Sequence, residues 1–208
     1  MDELTVDEQT VQMNKEDLAW ASLNTPLSVD ELQAFCQDIE RLYRINPMLE
    51  FSEWRSLDKD QFFFRGKNIS QQTPFDFEFE LKVSELADGF QVDYSQGIKS
   101  NTTFRIESAP QGSTLTITDH YDGISEEDRQ ARLNEVDKSI IVWASYLQKY
   151  LINWHKWSRV APWRWYMSRV WQPMKPIARR ITYMLLLISL VEVALITLGV
   201  AIYFVEYS

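Results

Sequence analysis

The amino-acid sequence predicts an α+β fold in which an antiparallel curved sheet lies against one long C-terminal helix, followed by a single transmembrane helix. Three observations predict it. The stretch FDFEFELKV alternates strictly, with Phe75, Phe77, Phe79, Leu81 and Val83 against Asp76, Glu78, Glu80 and Lys82, the pattern of a sheet with one dry and one wet face. Leu133, Val136, Ile140, Trp143, Leu147, Tyr150 or Leu151, and Trp154 recur in steps of three and four. That stripe persists for about six turns, enough for a helix to cross the whole sheet. The stretch ITYMLLLISLVEVALITLGVAIYFV, residues 181–205, carries one charge, Glu192. As a helix rising about 1.5 Å per residue it spans a hydrocarbon core of about 30 Å.

The elements follow in chain order. Residues 1–16 have neither a basic start nor an apolar run, so they read as a short disordered acidic lead and not as a signal peptide. A strand is expected at 18–24. In LSVDE, Ser28 can cap a helix while Glu31 reaches back, a capping box. Leu32, Phe35, Cys36, Ile39, Leu42 and Tyr43 then make one apolar face, and Asn46-Pro47 ends it, with no break evident before Asn46. Further strands are expected at 49–56, 60–69, 75–83, 89–97, 101–108 and 113–121. Ala87-Asp88-Gly89 and Pro110-Gln111-Gly112 supply turns, and such short connections imply an antiparallel meander. A second capping box, Ser125 to Asp128, opens the long helix.

Charge is segregated along the 208 residues: 1–153 carry 14 Lys/Arg against 28 Asp/Glu, whereas 154–180 carry seven Lys/Arg and no acid. The acidic body disfavours nucleic acid, whose phosphates need cations. Residues 153–180 also hold five of the eight tryptophans. Next to a transmembrane run, that composition reads as a membrane-interface belt, because Trp and Tyr prefer the headgroup zone and Lys/Arg are drawn to anionic lipid. Trp163, Met167, Val170 and Trp171, with Met174 beyond, form a stripe that a short helix in the interface plane would bury. Arg164 and Arg169 can snorkel to phosphates, and Lys175, Arg179 and Arg180 hold the flank in the cytoplasm by the positive-inside rule. The alternative is a flank that only orients the span. An RNA-binding reading of the interleaved aromatics and arginines is disfavoured by adjacency to the span. Only Glu206, Tyr207 and Ser208 follow the run, so a tail anchor is expected, with the body facing the cytoplasm, at the inner membrane in a bacterium. Glu192 is either protonated or facing a partner helix, or else a tolerated polar residue; no GxxxG pattern accompanies it.

Cys36, the only cysteine, reads as a buried, inert thiol. His120 and His155 lack companions at metal spacing, so no metal and no cofactor is expected, and no Gly-rich phosphate loop or GxSxG elbow is present. On TLTITDHY, parity puts Leu115, Ile117, Asp119 and Tyr121 on one face and the threonines with His120 on the other. Asp119 then points inward as a costly carboxylate that could orient a ligand or act as acid or base; alternatively the strand end has emerged into water, or a bulge turns it.

The order of elements, with LSVDELQAFCQDIERLYRINP and TLTITDHYDGISEEDRQARLNEVDKSIIVWASYLQKYL as first helical segment and final strand plus gripping helix, resembles the START-like, or Bet v 1-like, helix-grip superfamily (SRPBCC) over 17–157. The family's first helical segment is usually broken into two short helices. The resemblance implies a domain at 17–157, a hollow between sheet and long helix, and a hydrophobic ligand such as a lipid, sterol-like molecule or quinone. Candidate lining residues are Phe77, Phe79, Leu81, Phe104, Ile106, Leu115, Ile117, Trp143 and Leu147, each equally explicable as filled core. The expected organisation is therefore a lead at 1–16, this domain, a basic Trp-rich segment at 158–180, the span at 181–205 and a tail at 206–208. Three functions compete: a membrane-tethered, non-catalytic binding or transfer module; a cyclase- or hydrolase-like enzyme using Asp119 and Tyr121; and an adaptor that recruits a membrane or cytoplasmic protein. The expected partners are membrane lipids and a hydrophobic small molecule.

Overall fold

The computed structural model describes residues 18–70, 73–97, 99–121 and 126–207, with the side chains of 126–138 and 207 outside that description. The acidic lead and the Ser125 capping box therefore lie outside the described residues. Seven strands form one antiparallel sheet: β1 Leu18–Thr25, β2 Leu49–Asp58, β3 Gln61–Asn68, β4 Phe75–Leu86, β5 Gly89–Tyr94, β6 Asn101–Ala109 and β7 Gly112–His120. Their order is β1-β7-β6-β5-β4-β3-β2, so the meander runs from β2 to β7 and the first strand joins at the edge of the last. The expected dry and wet parities hold: Ser113, Leu115, Ile117 and Asp119 are buried, and the intervening threonines are half-exposed.

The ladder registers divide the sheet into two ends. Tight turns at Lys59-Asp60, Ala87-Asp88 and Pro110-Gln111 occupy one, the turn end. The other gathers Leu49, Asn68, Phe75, Asn101 and His120, together with the longer connections between β3 and β4 and between β5 and β6. This is the open end, where the ladder leaves room.

Two short helices precede β2: α1 Val29–Cys36 and α2 Ile39–Arg44. The capping box is present, with Glu31 N donating to Ser28 Oγ at 3.3 Å and Ser28 N donating to Glu31 Oε2 at 2.9 Å. The unbroken helix expected as far as Asn46 is corrected by the structure. Gln37 ends α1, and Asp38 caps α2 by accepting from the Arg41 backbone N at 3.0 Å. A step of three between Cys36 and Ile39 keeps the apolar face continuous across the break, which is why periodicity alone missed it. Strand β5 is likewise shorter than expected and stops at Tyr94, because residues 95–97 bend away and Gly97 has φ of 110°.

The long helix α3, Glu126–Trp157, packs over β1, and the buried alanines Ala19 and Ala21 on the strand and Ala144 on the helix are small enough to suit a close approach. Trp143 Nε1 donates to the Leu42 carbonyl at 3.2 Å, tying α3 to α2. Beyond Trp157 the chain doubles back. Helix α4, Ala161–Tyr166, runs into a single π-helical turn, Met167–Trp171, and the apolar helix α5, Pro176–Tyr207, follows.

Candidate functional site

Sheet, α2 and α3 do not close completely at the open end. They leave a cavity of about 200 Å³ lined by Tyr43, Leu49, Phe64, Phe75, Phe77, Phe79 and Trp143, with Asn46, Asn68, Ser70, Gln96, Lys99, Ser139, Tyr94 and Tyr121 supplying polar atoms. The apolar wall is a cluster of rings: Phe64 meets Phe77 edge-on at 5.3 Å and Phe79 at 5.6 Å, and Phe77 stacks on Phe79 at 5.5 Å. These three side chains share a face because β3 and β4 pair Phe64 with Phe79 and Gly66 with Phe77. Gly97 completes the wall; a Cβ there would lie 2.8 Å from the Phe79 ring.

A chain of buried polar groups runs into one side of this cavity. Asp119 is fully buried, forms an ion pair with the Lys99 ammonium through Oδ2, and accepts from Thr102 Oγ1 at 2.6 Å and from the Tyr121 hydroxyl at 3.4 Å. The ionised carboxylate can only accept, and that sets the direction of every bond behind it. Thr102 spends its one proton on Asp119, so Tyr94 donates to Thr102 at 2.9 Å, and Tyr43 in turn donates to Tyr94 at 2.6 Å. All three tyrosine protons are thereby committed within the chain. What Tyr43 offers outward is oxygen lone pairs, whereas Lys99, with 28% of its side chain exposed, offers N–H donors.

Burial raises the Tyr43, Tyr94 and Tyr121 hydroxyls above the ordinary tyrosine value, so they stay protonated. Burial also opposes the charge on Lys99, but the neighbouring Asp119 carboxylate, with Tyr121 and Tyr94, outweighs it and holds the ammonium above the ordinary lysine value. Cys36 lies elsewhere, at the C-terminal end of α1, where burial pushes its thiol up to about 12. Among the described residues no cluster of metal-ligating side chains occurs.

Of the nine candidate lining residues, Phe77, Phe79 and Trp143 stand on the cavity wall, whereas Leu81, Phe104, Ile106, Leu115, Ile117 and Leu147 are buried in the solid core. Asp119 points inward. The alternatives, emergence into water or a bulge, are corrected by a ladder that runs unbroken through Ala19↔Asp119 and Thr102↔Asp119. Sequence reasoning missed Lys99, Thr102, Tyr94 and Tyr43. Thr102 was within reach, since it shares its parity on β6 with Phe104 and Ile106; Lys99 sits in a loop and carried no periodic signal.

The residues expected at a membrane interface divide. Met167 is buried in the domain's core cluster, Trp163 lies 5.8 Å from Trp154 and Trp171 lies 5.3 Å from Tyr150. Arg164 donates weakly to the Ser158 carbonyl at 3.4 Å, and Arg169 and Arg180 are exposed. Val170 is half-buried, Lys175 pairs with Glu50 at 3.6 Å, and Arg179 is held by three backbone carbonyls.

No family model and no curated protein matches this chain. Solved structures do. The chain is similar to TTHA0849 from Thermus thermophilus (TM-score 0.53, 11% identity, 65% of this chain and 97% of that one). It is also similar to the Zhui aromatase/cyclase from a Streptomyces species (0.51, 9%, 70% and 96%) and to a START superfamily protein from Mycobacterium smegmatis (0.50, 14%, 64% and 96%). With a seven-stranded curved sheet gripped by α3, the domain has the START-like, or Bet v 1-like, helix-grip fold. The helix from Pro176 to Glu206 is long and apolar enough to cross a membrane, and none of its apolar stretch is buried against the domain.

Proposed function

We propose that this protein is a membrane-tethered module that binds a small hydrophobic molecule between its sheet and its gripping helix. The observation that carries the reading is the cavity itself, whose wall is built from Phe64, Phe77, Phe79 and Trp143 and into which the buried polar chain presents Tyr43 and Lys99. An apolar body suits the rings. An oxygen-bearing end suits Lys99 and the acceptor face of Tyr43. Tethering is supported by the unburied apolar stretch of α5, which needs an apolar medium of its own, and by the flanking Lys175, Arg179 and Arg180, which orient the domain toward the cytoplasm. Asp119 serves here as the anchor of the polar chain: its lone pairs are committed to Lys99, Thr102 and Tyr121, which suits it to hold donors in place more than to exchange a proton with a substrate.

Native mass spectrometry of the full chain released from detergent tests the reading. A stoichiometric hydrophobic adduct is expected, and it should vanish in Ser139→Phe, which fills the cavity from α3. Repeatedly empty protein from native membranes would remove the proposal and favour an adaptor role instead.

A further inference from the structure

We infer that the connector between α3 and α5 clamps the domain so that the cavity rim rests against the lipid headgroups, letting ligand pass between cavity and bilayer without crossing open water. The inference rests on α5 spanning a membrane, as proposed above, and adds which face of the domain meets that membrane.

Arg179 is the centre of the clamp. Its Nε donates to the Trp171 carbonyl at 3.0 Å, one terminal nitrogen to the Gln172 carbonyl at 2.8 Å and the other to the Arg44 carbonyl at 2.7 Å. The guanidinium also lies over the Trp171 ring, 3.9 Å from its centroid. These carbonyls end the π-helical turn and α2, places where backbone acceptors lack intrahelical partners. One side chain in the first turns of α5 thus joins three segments, and its planar fork of donors suits it to do so. Lys175, just before α5, adds an ion pair to Glu50 at 3.6 Å.

Both contacts fall on the same corner. Arg44 and Glu50 bracket Asn46, Met48 and Leu49, which line the cavity. Arg179 stands two residues before the apolar run that begins at Ile181, about 3 Å of helical rise, and the headgroup layer of each leaflet is about 5–7 Å deep. The corner is therefore held at headgroup level. The sheet registers agree independently: Leu49, Asn68 and Phe75 sit together at the open end, and Phe75, 40% exposed, presents its ring at the rim. The turn end, with Pro110-Gln111, points the other way.

The test uses the full chain in vesicles of phosphatidylcholine and phosphatidylglycerol doped with a headgroup-spin-labelled lipid. A fluorophore is attached at Thr73→Cys, exposed in the β3–β4 connection, or at Gln111→Cys, exposed in the turn between β6 and β7; the buried Cys36 does not compete for label. Quenching at position 73 should exceed that at 111 several-fold. Equal quenching, or stronger quenching at 111, in chain that floats with the vesicles overturns the inference while leaving the tether intact. Chain that does not float overturns the tether and the inference together. Arg179→Ala should still float but lose at least half of the contrast between the two labels, and Arg179→Lys should behave like it, because lysine keeps the charge without the fork. If Arg179→Lys loses nothing, attraction of charge to lipid explains the orientation and the clamp does not.

Discussion

Among the described residues Asp119 is the one charged side chain that is fully buried, and it stays so because every neighbour in its reach donates to it. Asp119→Ala would leave the Lys99 ammonium without its counter-ion and two hydroxyls without an acceptor. With Lys99 28% exposed, we expect a loss toward the lower end for a broken buried pair, about 3 kcal/mol, measured by urea denaturation in detergent. Alkaline pH should act on the same groups. Lys99, Tyr43, Tyr94 and Tyr121 all have folded values raised above their unfolded ones. Their contribution is complete below the unfolded values near 10 and is lost as pH rises above them, at about 1.4 kcal/mol per pH unit for each proton held by the folded state and released by the unfolded one. Stability should therefore be insensitive to these groups at neutral pH and fall above about pH 10. Tyr94→Phe should make that fall shallower; an unchanged slope would remove Tyr94 from the account.

On either side of the break between α1 and α2, Phe35 packs 5.7 Å from Tyr150 and Tyr43 packs 5.3 Å from Trp143, so both short helices reach α3. Asp38 makes the break by capping α2, so Asp38→Ala should cost about 1 kcal/mol in chemical denaturation. It should also loosen the corner that carries Asn46, seen as faster amide exchange in α2. Gly97 does comparable work for β5: its φ of 110° ends the strand, and its missing Cβ leaves room for the Phe79 ring. Gly97→Ala meets both obstacles, and we expect a loss of about 1–3 kcal/mol together with a reshaped cavity wall, read as loss of the bound adduct in native mass spectrometry. The signals for these elements differ in kind. Asp38 followed by Arg41 is a local cap visible in the sequence, overshadowed by a continuous apolar stripe; the room that Gly97 leaves for a ring 18 residues earlier is a tertiary matter that no local pattern encodes.

Across the whole molecule, the basic, Trp-rich connector is not an independent belt. Trp163 and Trp171 extend the aromatic stack of Trp154 and Tyr150 on α3, and Met167 enters the core cluster. Trp171→Ala would remove the Tyr150 contact and the surface on which Arg179 rests. Because Trp171 is only half-buried, we expect about 1–3 kcal/mol, below the usual cost for a fully buried tryptophan, and faster proteolysis within residues 158–175, read by limited digestion of the full chain. Unchanged digestion would mean that the connector docks without this ring.

Composition and periodicity were enough for the seven strands, the gripping helix and the apolar C-terminal helix, because each is a repeat of two or about four residues or an unbroken apolar run, and such patterns are local. Parity offered an inward Asp119 as one of three readings, and the unbroken ladder decided among them. Which of the inward residues border empty space was decided only by tertiary packing. Phe104 and Phe77 carry the same pattern, yet one fills the core and the other faces a cavity, since a cavity is the difference between two surfaces brought together from distant parts of the chain. The same holds for Lys99 beside Asp119 and for Arg179 beside Arg44, 135 residues apart. Charge and aromaticity draw a residue toward water, lipid or another side chain alike, and only the folded chain determines which of these it meets.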